Sequence, residues 1–403
     1  MSNVYISDFL VIGGGIIGIS VAREVKSRNP GSTVTIIDKE PEPGRHASGR
    51  NSGVIHAGFY YTADSLKARF CREGNEALRH YIRAKCLKIN PCGKLVVAQN
   101  ESDLAYLNEL QKRGHRNGVE LDLITASDAK KIEPRVRTYE RALWSPNTAT
   151  ADPIEVINSF REDAIAEGVK ILFDHPYIGL FEGEVRAGSS KISAGYIINC
   201  AGLYADRVAV DFGFSNSYRI LPFKGLYLYS DEVPGSLKTN IYPVPDLRNP
   251  FLGVHFTVTV DGKAKIGPTA IPAFWREQYN GLSGFQLGEF LEITWRNLGL
   301  ISHAGFEFRR LAWEEFQKYS KTHLVSLAGR LLEGTVPDNF TKWGRPGIRA
   351  QLLNIETLKL EMDFVLEGDE RSFHVLNAVS PAWTCSIPFA KHVCDQIHRL
   401  RSR

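Results

Sequence analysis

The sequence predicts an α/β fold in which a parallel, helix-wrapped sheet is interleaved with an α+β region built on an antiparallel sheet. Three observations carry this expectation. A short apolar run at 9–12 (FLVI) opens onto Gly13-Gly14-Gly15-Ile16-Ile17-Gly18 and the helical stretch ISVAREVKS, and a second apolar run, VTIID, ends in Asp38. Residues 219–260 are rich in β-branched and aromatic residues with turn signals between them, and Asp261-Gly262 suits a hairpin turn. Between these, a short strand at 196–200 (YIINC) runs into Ala201-Gly202.

The first segment is a G-x-G-x-x-G pattern in its full context of strand, helix, second strand and terminal acid, which marks a Rossmann-like dinucleotide site. Gly13 permits the tight turn. Gly15 lets a pyrophosphate approach the backbone, and Gly18 lets the helix pack close to the strand. The helix N-terminus faces the phosphates. Asp38, with Lys39 beside it, is placed to accept hydrogen bonds from ribose hydroxyls. After this unit the chain enters the looped segment EPGRHASGRNSGVIHAGFYY rather than further alternating strands and helices. The strand ending at Ala201-Gly202 is a second place where bare backbone comes close to something bulky. Two such approaches suit a long, extended cofactor and favour FAD over a nicotinamide.

Bulk properties bound the rest. At 403 residues the chain is long enough for two domains or one large composite domain. Its 43% hydrophobic and 23% charged residues are ordinary for a globular protein, and a formal charge of +4 is far from the basic balance of a nucleic-acid binder. The six cysteines (71, 86, 92, 200, 385, 394) show neither CxxC pairing nor zinc-ligand spacing, so reduced thiols and no metal site are expected. The start MSNVYISD has no signal-peptide pattern, and the uncharged run Phe9 to Ala22 is too short to span a bilayer. A cytoplasmic location is expected, with peripheral contact at an anionic membrane face compatible with the basic run HRLRSR.

Longer motifs narrow the reading: RNSGVIHAGFYY with SLKARFCREG, CGKLVVA at 92–98, ALWSPNTATADP, INCAGLYADRVA, IYPVPDLRNPFLGVHFT, RPGIRAQL and HVLNAVSPAWTCS. In these the sequence resembles the D-amino acid oxidase-like flavoproteins along nearly its whole length, and among them is most similar to the L-2-hydroxyglutarate dehydrogenase/oxidase group. The resemblance implies a discontinuous FAD-binding domain at 1–90, 146–215 and 341–403, with a substrate domain at 91–145 and 216–340. It implies that Ser48, Arg50, Asn51 and Ser52 make polar contacts to FAD, with Gly53 and Gly58 giving the backbone room. His56 is then expected beside the flavin ring, where some relatives carry a covalent link; the resemblance leaves such a link open here without establishing it. Ser380, Pro381 and Ala382, ahead of the helical stretch PFAKHVCDQIHRL, would bring backbone N–H groups to the flavin pyrimidine.

The activity so implied is oxidation of a 2-hydroxy acid, with electrons leaving to oxygen or a quinone. That chemistry needs a base for the hydroxyl proton and cations for the carboxylates. His255 in FLGVHFT and His56 are the competing bases. In a strand, His255 would share its face with Gly253 and Thr257, with Val254 and Phe256 on the other face. Arg349 and Lys224 are the leading cations, with Lys67 and Arg69 as secondary ones. A core histidine or an inter-element ion pair is the plain alternative for each. The chain departs from the resembling group at Lys224 and Leu226, where Arg and Glu are common, and at Trp383 and Cys385, where small residues are. Those departures keep open an amine or amino-acid oxidase, or a flavin-binding protein with little catalysis.

Overall fold

The computed structural model describes residues 3–245, 253–303, 310 and 313–402. Part of the motif IYPVPDLRNPFLGVHFT, at 246–252, lies outside the described residues. The chain divides into two compact units. One comprises Met1–Arg50, Pro153–Pro222 and Arg349–Arg403, and the other Asn51–Asp152 and Phe223–Ile348. Residues 51–90, expected in the first unit, fall in the second. The cause is local pairing: Ala149–Ala151 takes Val54–Ile55 on one side and Ile89–Asn90 on the other.

In the first unit the strand Val4–Ile12 lies at the centre of a parallel sheet, between Ser190–Asn199 and Val34–Ile37, and Lys170–Leu172 continues the order beyond Val34–Ile37. Ser372–Asn377 adds in parallel to the far side of Ser190–Asn199. Leu10 to Ile12 and Val34 to Ile37 are buried throughout, the run expected of parallel strands covered on both faces. Helices Ile16–Arg28, Pro153–Ala166 and Ala382–Arg401 supply the cover, the first packing against the other two. The last helix starts at Ala382, so Trp383 to Ser386 are helical rather than a lead-in. Pro388 sits inside it and removes one backbone donor. Eleven buried residues, Phe389, Val393 and Ile397 among them, hold the helix in place; each fully buried large apolar side chain contributes roughly 1.5–3 kcal/mol.

In the second unit the main sheet runs in the order Lys342–Trp343, Leu228–Tyr229, Ala264–Gly267, His255–Val258, Asn240–Pro243, Lys94–Val97, Arg141–Ser145, Asp122–Thr125. It is antiparallel except where Asn240–Pro243 meets Lys94–Val97. Gly262, at φ +78°, closes the hairpin expected at Asp261-Gly262, its N–H donating to the Thr259 carbonyl at 2.9 Å. Period-2 alternation sorts the faces. Leu95, Ile241, Phe256, Val258 and Ile266 form one core with Leu324, Val325 and Ala328 of helix Lys321–Gly329. The opposite face carries Val96, Leu143 and Tyr242, packed with Phe59 and with Leu107 and Leu110 of helix Glu101–Arg116. Helices Glu101–Arg116 and Leu287–His303 also belong to this unit. Among the described residues no helix is long and apolar enough to cross a membrane.

Candidate active site

The glycine pattern in the first unit has three separable causes. A Cβ on Gly18 would stand 1.9 Å from the Gly13 carbonyl oxygen, so this position sets how closely the helix sits on the strand. Gly13, at φ +109°, would meet the Cys200 carbonyl oxygen at 2.5 Å, which places the first glycine turn directly against the turn at Ala201-Gly202. A Cβ on Gly15 would meet only the Ser48 hydroxyl, at 3.1 Å. The glycine loop and the second bare-backbone segment therefore meet, as a long cofactor crossing both would require.

Asp38 follows the strand Val34–Ile37. Its Oδ2 accepts from the Gly14 N–H at 2.6 Å and its Oδ1 from the Glu40 N–H at 2.8 Å. Burial pushes its pKa up, and the Glu40 and Gly14 donors oppose that. Ser48 Oγ accepts from the Ile16 N–H at 2.9 Å, holding the start of the helix. Lys39 lies over the Tyr204 ring at 5.2 Å and pairs with Glu40 at 3.2 Å. Arg50 donates from Nε to the Arg45 carbonyl. Asn199 organises the other turn: its Oδ1 accepts from the Ala201 N–H at 3.1 Å, and its Nδ2 donates to the Ala205 carbonyl at 2.7 Å and to His374 Nδ1 at 3.2 Å. His374, on strand Ser372–Asn377, thus braces this turn. With Nδ1 accepting, its Nε2 carries the proton toward Ser372 Oγ at 3.0 Å. Burial pushes its pKa down to about 4.

Helix Ala382–Arg401 begins after Pro381 with no side-chain cap, and Ser380 is exposed instead of capping it. Trp383 in the first turn is buried, and among the described residues neither its Nε1 nor Ser386 Oγ has a hydrogen-bond partner. Uncapped N–H groups with two orphaned buried polar groups beside them suit an acceptor-rich group such as a flavin ring. The residues of this unit fit FAD.

In the second unit the segment SGVIHAGFYY is pinned by asparagines absent from the sequence expectations. Asn75 donates to the His56 carbonyl at 3.1 Å, and Asn117 to the Gly58 and Tyr61 carbonyls, each at 3.0 Å. Gly58 is required here: at φ +100°, its Cβ would press on Cys71. Asn51 and Ser52 accept from the Gly53 and Val54 N–H groups, at 2.8 and 3.2 Å, shaping the turn at Gly53. His56 is half-buried just after the strand Val54–Ile55.

His255 is 3% exposed. Its Nδ1 donates to the Gly253 carbonyl at 2.8 Å, which leaves the lone pair on Nε2. It stacks on Tyr242, and Thr257 and Lys265 stand opposite each other on the same face. Lys224 is 6% exposed on strand Tyr218–Gly225, and its ammonium has no ion pair among the described residues; burial pushes its pKa down. Lys265 is buried under the Tyr227 ring at 4.5 Å, its pKa pushed down to about 8 by burial, with Asp152 opposing. Lys67 is buried on helix Leu66–Ala84, whereas Arg69 is on the exposed side with its guanidinium over Phe70. Arg349 is half-buried on strand Gly347–Asn354, which belongs from this residue onward to the first unit.

The FAD-dependent oxidoreductase family model matches residues 8–396. The chain belongs to this family. As an FAD-dependent oxidoreductase it is 35% identical over 416 residues to the human mitochondrial L-2-hydroxyglutarate dehydrogenase, covering 97% of this chain and 89% of the relative. It is 32% identical over 400 residues to L-2-hydroxyglutarate dehydrogenase of Escherichia coli strain K12, covering 98% and 93%. The fold of this oxidoreductase matches that of L-alpha-glycerophosphate oxidase from Mycoplasma pneumoniae, solved with FAD bound, at TM-score 0.76, 19% identity and 98% and 95% coverage. Glycine oxidase from Geobacillus kaustophilus matches at TM-score 0.71, 17% identity and the same coverage.

Proposed function

We propose that this oxidoreductase converts L-2-hydroxyglutarate to 2-oxoglutarate, with His255 as the base. The observation that carries the reading is the state of His255: a buried imidazole whose tautomer is set by the Gly253 carbonyl, so that Nε2 is the basic atom. Full-length identity of 32–35% to L-2-hydroxyglutarate dehydrogenases supports the substrate.

Bound FAD supplies the acceptor for the hydride leaving C2. In the proposed reaction His255 Nε2 takes the hydroxyl proton, while the Nδ1–H bond to Gly253 holds the ring in register as positive charge builds on it. Lys224, buried without an acidic partner among the described residues, balances a carboxylate, and Arg349, with its planar guanidinium, is the other candidate cation. Asp38, Ser48, the Gly15 loop and the uncapped start of helix Ala382–Arg401 hold the cofactor.

The test is anaerobic mixing of the flavoprotein with L-2-hydroxyglutarate, D-2-hydroxyglutarate and glycine while the visible flavin absorption is followed. Bleaching by the L isomer alone is expected. Bleaching by glycine in preference to the hydroxy acid would assign the site to amine oxidation.

A further inference from the structure

The strand Lys94–Val97 carries a lysine at a position whose neighbours are all core residues. Lys94 is 0% exposed, and its ammonium has no hydrogen-bond partner among the described residues. It is enclosed by three rings: Nζ stands 4.6 Å from the centroid of Phe59, 4.6 Å from Tyr60 and 4.7 Å from Tyr242. A ring face attracts a cation through its quadrupole, and the attraction grows when water is excluded. The third ring is also the one on which His255 stacks, 3.7 Å between centroids and 17° from parallel. The caged charge and the imidazole thus share a single tyrosine.

We propose that Lys94 is a positioning residue for the base: its caged ammonium, set against Tyr242, disfavours a second positive charge on His255 and so keeps the imidazole in its proton-accepting form. This rests on the reading of His255 as the base.

Among the described residues, the groups facing the lysine leave its field uncompensated. Beside it across the strands stand Asn240, whose amide is used by the Gly93 carbonyl and the Val258 N–H, and Ser145, whose hydroxyl pairs with Thr148 at 3.0 Å. From helix Leu66–Ala84 the facing titratable group is the Cys71 thiol. The phenols of Tyr60 and Tyr242 complete the set, and burial pushes Tyr60 up, away from ionisation. None of these supplies a carboxylate. Around His255 the neighbouring strand contributes Lys265, a second cation that both a Lys94 variant and the parent retain. Burial pushes Lys94 itself down to about 7, with Cys71 opposing slightly, and the three ring faces favour the charged form.

The experiment is kcat/KM for L-2-hydroxyglutarate against pH, in the FAD-loaded enzyme, for the parent, Lys94→Met, Lys94→Arg and His255→Asn. Removing the cation should raise the proton affinity of His255. The acid limb of Lys94→Met should then move up by about half to one pH unit. The rate below the limb should fall about three- to tenfold, with the values above the limb converging on the parent. Lys94→Arg, which keeps the charge, should leave the limb in place. An acid limb in Lys94→Met that coincides with the parent's overturns the proposal. If Lys94→Met does not fold, Lys94→Gln takes its place with the same expectation. An acid limb that survives in His255→Asn overturns the base assignment instead. Should the parent oxidise no hydroxy acid at all, imidazole 15N titration of His255 in the holoprotein gives the same comparison: an unchanged midpoint in the neutral Lys94 variant overturns the proposal, and an upward shift supports the coupling.

Discussion

The imidazole of His255 lies face to face with the phenol of Tyr242, the ring centroids 3.7 Å apart and the planes 17° from parallel. The two residues stand on adjacent antiparallel strands, on the sheet face opposite the large apolar core. The stack fixes the ring plane and the Gly253 carbonyl fixes the tautomer, so the direction of the Nε2 lone pair is set before any substrate arrives. In the proposed reaction, pre-set geometry of this kind would remove a reorganisation cost from the chemical step. His255→Asn is accordingly expected to slow anaerobic flavin reduction by roughly 10²–10⁴-fold, with flavin content unchanged. A rapid-mixing trace as fast as the parent's would transfer the base role to another group, His56 first.

Lys224 should act on binding more than on the chemical step. Its ammonium is buried with no acidic partner among the described residues, so a substrate carboxylate is its natural counter-ion. Hydrogen bonds to charged groups are worth about 1.5–3 kcal/mol, so Lys224→Met should raise KM for the dicarboxylate by roughly 10- to 150-fold. Steady-state kinetics check this; an unchanged KM would mean that the lysine serves only the fold.

Gly18→Ala should lose the cofactor. The added methyl would meet the Gly13 carbonyl oxygen at 1.9 Å, and both groups are backbone-anchored, so the helix must shift off the glycine turn. Overpacking of this kind costs about 1–3 kcal/mol or more. A Cβ on Gly31, by contrast, meets nothing within 4 Å. The flavin-to-protein absorbance ratio should drop sharply in Gly18→Ala and stay at the parent value in Gly31→Ala.

His374 predicts an acid-sensitive cofactor site. Its folded pKa of about 4 lies below the ordinary value of 6.5, so on acidification the unfolded chain takes up the proton first. The stability held above pH 6.5 is therefore lost progressively as pH falls toward 4, by about 3 kcal/mol in total from this group. Protonating Nδ1 also removes the acceptor for Asn199, which braces the Ala201 turn. Thermal melts between pH 4 and 7 should show a shallower pH slope in His374→Gln than in the parent. Equal slopes would show that the histidine is not the sensing group.

Much of the cofactor end was legible in the sequence because its determinants are local. The glycine spacing, the helix behind it and Asp38 after the next strand fall within thirty consecutive positions, and Gly18 against the Gly13 carbonyl and Asp38 against the Gly14 N–H have their reasons inside that stretch, whereas Gly13 also packs on the distant Cys200 carbonyl. The alternation that puts His255 opposite Phe256 was legible too, because a strand has only two faces. The antiparallel character of the second sheet followed from residue types and turns, but its one parallel pair, between Asn240–Pro243 and Lys94–Val97, did not: 142 residues of chain separate those strands, and no local signal sets their direction.

The sequence by itself thus determined the dinucleotide turn, the cofactor class and the two faces of the histidine's strand. The family resemblance placed residues 51–90 in the first unit, while pairing with Ala149–Ala151 draws them into the second. Only the tertiary structure decided that Lys94, in the apolar-looking CGKLVVA, is caged by Phe59, Tyr60 and Tyr242, and that Asn75 and Asn117 hold the loop bearing His56. The physical reason is common to all of these. A cation cage and a buried amide's hydrogen bonds are made with groups far off in sequence, so they exist only once the strands and helices that carry them have been brought together.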